Sequence, residues 1–244
     1  MYEQLRRDFL KLLASIGMMD KPVECVALGS DFVKLPSKEY ALMKGKEVIV
    51  HCQLNGFCGQ AFTDKPKTFH GKLVDVADLA LGDSGDRSIF FSVLNALMHS
   101  LGEIDCTVHC RSHDAERCGL LLVKKIRQSF GKVKTVAHIG YQPGHVKATS
   151  NAFDIVYVTD LNPENVGKVK WGVEILDSSM SENVIKKADV TCITGSAIVN
   201  GTLPEILRQC NRYCKRYVLY GVTVKGAAKL LGLEVFCPFG RNKL

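Results

Sequence analysis

From Val133 to Phe236 the chain alternates short apolar runs with helical patterns, and this alternation constrains its fold more than any other feature. The runs are VKTVAHIG (133–140), FDIVYVTD (153–160), GVEILD (172–177), ADVTCITG (188–195) and RYVLYG (216–221). Helical patterns such as SENVIKKA, LPEILRQCNRYCKR and KGAAKLLG separate several of them. Strands that are apolar almost throughout and spaced by helices indicate a parallel sheet covered on both faces. The second half therefore reads as a Rossmann-like, doubly wound α/β domain.

The first half follows different rules. An amphipathic helix at 1–17 places Leu5, Phe9, Leu12, Leu13 and Ile16 on one face. VECVALGS (23–30) and EVIVHCQL (47–54) are strand-like, and 55–71 is rich in turn residues. Helical patterns follow at KLVDVADLAL and RSIFFSVLNALMHSLG, so this half reads as a smaller α+β domain. The expected division is 1–104 and 105–244.

Composition narrows the classes of function. Among 244 residues, 46% are hydrophobic and 23% charged, the balance of an ordinary globular protein. The formal net charge of +7 comes from scattered basic residues with no nucleic-acid-binding motif beside them, so no nucleic-acid partner is expected. That excess is compatible with an anionic small ligand. No run reaches the ~18 apolar residues of a membrane span, and charges interrupt the N-terminal helix where a signal peptide needs an apolar core. Ten cysteines without a secretory signal read as reduced thiols, which places the protein in the cytoplasm. A homo-oligomer is compatible with the sequence.

In a doubly wound sheet, ligands bind beyond the carboxyl ends of the strands. Those ends supply Gly140, Tyr141, Gln142 and Gly144; then Asp160, Asn162 and Asn165; then Asp177. The later strands supply Thr194, Gly195, Ser196, Asn200 and Thr202, followed by Gly221 and Thr223. Asp160 lies where dinucleotide-binding proteins place a ribose-binding acid, but Gly140 and Gly144 form G-x-x-x-G rather than G-x-G-x-x-G. Pro143 also removes an N–H that a pyrophosphate would use, so NAD is disfavoured. S-adenosylmethionine tolerates that loop better and is the alternative cofactor, with Asp177 toward its adenine. Asp160 reads equally as a turn former in D-L-N-P. In TGSAIVNGT, Thr202 reads as a helix cap and the preceding polar groups as ligand contacts.

Several segments together resemble a known family. HIGYQPG, DLNPENVG, TGSAIVNGT and YGVTVKGAAKLLG, with FHGKLVDVADLAL and SVLNAL in the first half and CTVHCRSHDAERCG as the inter-domain segment, are similar to the heavy-metal chelation family of uncharacterised prokaryotic proteins. The likeness runs from about Val23 to Pro238. It implies an enolase-N-terminal-like domain before the Rossmann-like one, with a site in the cleft between them. Residue by residue, it points to the loops at Gly140–Gly144, Asp160–Asn165, Thr194–Thr202 and Gly221–Thr223, and it directs Asn95 of SVLNAL toward the cleft. The expected function is binding of a small anionic metabolite or transition-metal chelate in that cleft. The alternative is an enzyme using S-adenosylmethionine.

CTVHCRSHDAERCG (106–119) concentrates three cysteines and two histidines. His109, Cys110 and His113 are its candidate metal ligands, at a strand end between the domains. The spacing lacks the paired C-x-x-C of a closed zinc site, so the segment reads better as a connector. Ser112 is the expected N-cap of the next helix, and Cys118 is expected in its buried stripe with Ala115, Leu122 and Ile126. No G-x-S-x-G, H-E-x-x-H or P-loop pattern is present.

Overall fold

The computed structural model describes residues 1–29, 35, 37, 39–44 and 47–244; Ser30, the end of the first strand-like run, lies outside them. The first half builds a four-stranded antiparallel sheet from β1 (Pro22–Leu28), β2 (Val48–Leu54), β3 (Phe57–Thr63) and β4 (Phe69–Lys72), in the order β3-β2-β1-β4. The turn-rich reading of 55–71 is corrected here, because this stretch holds two of the four strands. Asn55 and Gly56, both at positive φ, close the two-residue hairpin between β2 and β3, and residues 64–68 form the connection from β3 to β4. α1 (Tyr2–Ile16), α2 (Leu73–Ala77) and α3 (Ser84–Ser100) accompany this sheet.

The second half is a seven-stranded, mostly parallel sheet. Its strands are β5 (Thr135–Ile139), β6 (Ile155–Asp160), β7 (Val169–Lys170), β8 (Val173–Asp177), β9 (Val190–Thr194), β10 (Arg216–Tyr220) and β11 (Val235–Phe236). They lie in the order β11-β10-β9-β5-β6-β8-β7, and only β7 runs antiparallel to its neighbour. The order reverses between β5 and β9, as a doubly wound sheet requires. The helices are α4 (Asp114–Phe130), α5 (Pro143–Ser150), α6 (Ser181–Lys187), α7 (Ser196–Asn200), α8 (Leu203–Arg212) and α9 (Lys225–Leu231).

Both faces of this sheet are packed, which explains its nearly continuous apolar strands. Leu122 and Ile126 of α4 meet Val136, Val190, Cys192 and Val218 on one face. On the other, one core joins Ala137, Ile193 and Leu219 to Ile198, Ala227, Phe90, Phe91 and Leu94, and continues to Leu5, Phe9 and Leu13. α3 thus belongs to the first half by sequence and to both halves by packing. Each fully buried Phe or Leu contributes on the order of 2 kcal/mol of burial free energy, so this shared core fixes the relative position of the sheets.

The connector departs from expectation. CTVHC is not a regular strand: only Val108 forms a bridge, with Arg241, and Cys106 has φ +51°. Ser112 is not the N-cap of α4, since it lies at φ +52° and His113 holds that position without a side-chain bond. The buried stripe of α4 is Ala115, Gly119, Leu122 and Ile126, with Cys118 only half-buried beside it. Among the described residues, no helix is long and apolar enough to cross a membrane.

Candidate functional site

A cleft of about 360 Å³ opens at the point where the order of the parallel strands reverses. Its floor is the loops after β5, β6, β9 and β10, and its opposite wall includes Tyr40, Glu47, Phe62 and His109. Its lining is mostly apolar and aromatic, the usual character of a small-molecule pocket of this size.

The first two loops are locked together by Asp160. Its Oδ2 accepts the Tyr141 N–H at 2.6 Å, and its Oδ1 accepts the Asn162 N–H at 2.7 Å and the Asn165 amide at 3.4 Å. The acid expected to hold a ribose is therefore already engaged with the chain. The same loop turns at Gly140 (φ +97°), where a Cβ would stand 2.5 Å from Thr194 Cγ2. Gln142 caps α5, accepting the His145 N–H on Oε1 at 2.5 Å. With Pro143 lacking an N–H and the Tyr141 and His145 N–H groups occupied, this turn offers little to a pyrophosphate. Asp177 is exposed and accepts the Ser179 N–H at 2.9 Å on one carboxylate oxygen.

The other expected contacts divide. Gly140, Tyr141, Gln142, Asp160, Asn162, Asn165, Thr194, Gly195, Ser196, Asn200, Thr202, Gly221 and Thr223 all line the cleft. Thr202 precedes α8, but its hydroxyl donates to the Ala197 carbonyl at 3.4 Å instead of capping the helix. Gly144 lies outside the cleft lining, and a Cβ there would stand 2.4 Å from the Ala115 carbonyl, because α4 and α5 touch at this point. Asn95 also lies outside the lining. It is buried, donates to the Gln60, Val222 and Thr223 carbonyls at 3.0–3.2 Å, and accepts the Gly226 N–H at 2.7 Å. Its amide thus ties β3 to the segment that follows β10.

The metal candidates also separate. His109 and Cys110 line the cleft: the His109 ring meets Phe62 edge-on at 4.6 Å, and its Nδ1 lies 3.7 Å from Cys110 Sγ. His113 lies outside the lining, its side chain 76% exposed and 3.1 Å from Glu116. Among the described residues, no three His, Cys, Asp or Glu side chains are placed to hold one metal ion.

Sequence reading missed several groups in the cleft. Glu47 faces it, and burial, with Asp160 and Asp64 nearby, pushes its carboxyl up to about 7. Cys118 and His145 form a pair, with Sγ 3.2 Å from Nε2, and the imidazole packs edge-on against Tyr220 at 4.4 Å. Burial raises the Cys118 thiol well above its ordinary range and lowers His145 to about 3, so the pair is a neutral thiol beside a neutral imidazole. Cys237 lines the cleft too. His145 was legible as one residue beyond the Gly140–Gly144 loop. Glu47 carried no local signal, because only the packing of two distant segments brings it to Asp160.

The charged groups in this lining, among the described residues, are the carboxylates Glu47, Asp160 and Glu205, with no Lys or Arg. The anionic ligand expected from net charge therefore meets no described cation here.

Residues 124–235 match the model of the DUF364 family, described as "Putative heavy-metal chelation". The match spans 112 of the 244 residues, and over that segment the chain is similar to the family. Two solved structures are similar across both halves. A DUF364 protein of unknown function from Pyrococcus horikoshii superposes with a TM-score of 0.56 at 16% identity, covering 91% of this chain and 79% of its own. Another from Desulfitobacterium hafniense gives 0.51 at 15% identity, covering 78% and 74%. At these identities the likeness establishes the fold. No curated protein matches the sequence.

Proposed function

We propose that the cleft binds a small metal complex, or a compact organic molecule of neutral or positive charge, between an N-terminal domain (1–104) and a C-terminal domain (105–244). The carrying observation is the position of this mostly apolar cleft at the strand-order reversal, with Glu47 and Asp160 in its lining. Carboxylates in a space of low polarity favour cations over anions. Aromatic side chains such as Tyr40, Phe62 and Tyr141 add faces for a planar or cationic group. The family's description points the same way, toward metal handling. All ten cysteines are free thiols, which supports a reducing compartment such as the cytoplasm.

The test is ligand-observed NMR of the full chain with matched cationic, neutral and anionic small complexes and heterocycles. Line broadening is expected for the cationic or neutral members, and it should vanish in Ser196→Trp, which fills the cleft. Binding confined to anions, or binding untouched by Ser196→Trp, would overturn the reading.

A further inference from the structure

Cys118 and His145 come from consecutive helices, α4 and α5, that touch where Gly144 meets Ala115. This contact sets Cys118 Sγ 3.2 Å from His145 Nε2 in the wall of the cleft. Sulfur and nitrogen bound to one metal at ordinary lengths of about 2.3 and 2.0 Å stand roughly 3.2–3.6 Å apart, so the pair already has the spacing of two ligands on one ion. Tyr220 packs against the imidazole and holds its orientation. Cys110 and Cys237 line the same cleft, near enough to Cys118 for their charges to act on it. Neither sequence spacing nor the family description marks this pair.

We propose that Cys118 and His145 are a two-point ligand set for a thiophilic metal ion in the cleft, the remaining positions being filled by the ligands the metal brings with it. The inference rests on the cleft-binding reading above and names the atoms that would hold the metal. A thiolate with an imidazole selects soft or borderline ions such as Cu(I), Zn(II) or Cd(II) over Mg(II) or Ca(II). On binding, the Cys118 S–H bond breaks, an S–metal bond forms, and the proton passes to solvent. His145 contributes the Nε2 lone pair, and no electron changes hands. Two protein ligands leave the ion open, which suits reversible capture of a complex better than a closed structural site.

The experiment is anaerobic titration of the full chain with Cd(II) chloride, followed by thiolate-to-metal absorption and by proton release. One equivalent is expected to bind with a charge-transfer band and release of about one proton per metal. Cys118→Ser should abolish the band, and His145→Gln should weaken binding at least tenfold, each with the fold checked by circular dichroism. Cys214→Ser, at an exposed thiol, should leave both unchanged. Wild-type affinity and absorption in both Cys118→Ser and His145→Gln would overturn the proposal, as would no Cd(II) uptake by the wild type. Should either variant fail to fold, the cadmium NMR shift of the wild-type complex reads the donor set: mixed sulfur and nitrogen supports the pair, and all-sulfur or all-oxygen donors overturn it. Cd(II) uptake is measured without any organic ligand. It can therefore fail while the NMR panel still binds, or succeed while that panel fails.

Discussion

Asp160 joins two strand-end loops, holding the Tyr141 amide at 2.6 Å and the Asn162 amide at 2.7 Å on its two carboxylate oxygens. A side chain that looked like a ligand contact is thus the brace that shapes the cleft floor. In Asp160→Asn, one oxygen becomes an NH₂ group facing a backbone N–H. Urea unfolding should show a loss of about 1–3 kcal/mol, and hydrogen exchange at the Tyr141 amide should accelerate. Unchanged exchange there would contradict the bracing role.

Asn95 makes the corresponding brace between the sheets. Its amide serves three carbonyls and one N–H, on segments from both halves of the chain. Asn95→Ala strands these buried groups and should cost at least about 2–3 kcal/mol in chemical denaturation. Ligand binding by the surviving folded fraction should change little, because the residue lies outside the cleft.

Glu47 gives a dependence on pH whose sign is fixed by its raised pKa. Between its ordinary 4.5 and about 7, the folded chain keeps a proton that the unfolded chain has released. Its contribution to stability therefore falls as pH rises through that window, and the loss is complete above about 7. Glu47→Gln should stabilise the protein at pH 8, with an upper bound on the order of 3 kcal/mol, and by close to nothing at pH 4. Thermal unfolding of both proteins at the two pH values measures the difference. An equal effect at both would rule out the buried carboxyl.

The five main strands of the parallel sheet were legible because burial on both faces leaves a continuous apolar run, and the strand-end loops follow from where each run stops. The β3 and β4 strands were not legible: Gly, Lys, Pro and Thr in 55–71 obscure a sheet whose register depends on partner strands. Asn95 and Asp160 show a different limit. Their residue types advertise hydrogen bonding, but whether the partner is a ligand or distant backbone is set by tertiary position. CTVHCRSHDAERCG concentrates metal-binding residue types, yet His113 turns to solvent while Cys110 and Cys118 reach the cleft.

By itself, the sequence determined the doubly wound sheet, the family resemblance and the loops that border the cleft, since periodicity and strand ends are local properties of the chain. Only the tertiary structure decided which polar groups face that space. The pairing of Cys118 with His145 and the approach of Glu47 to Asp160 arise from packing between segments far apart in sequence. Close packing fixes such distances to fractions of an ångström, and no local pattern of residues encodes them.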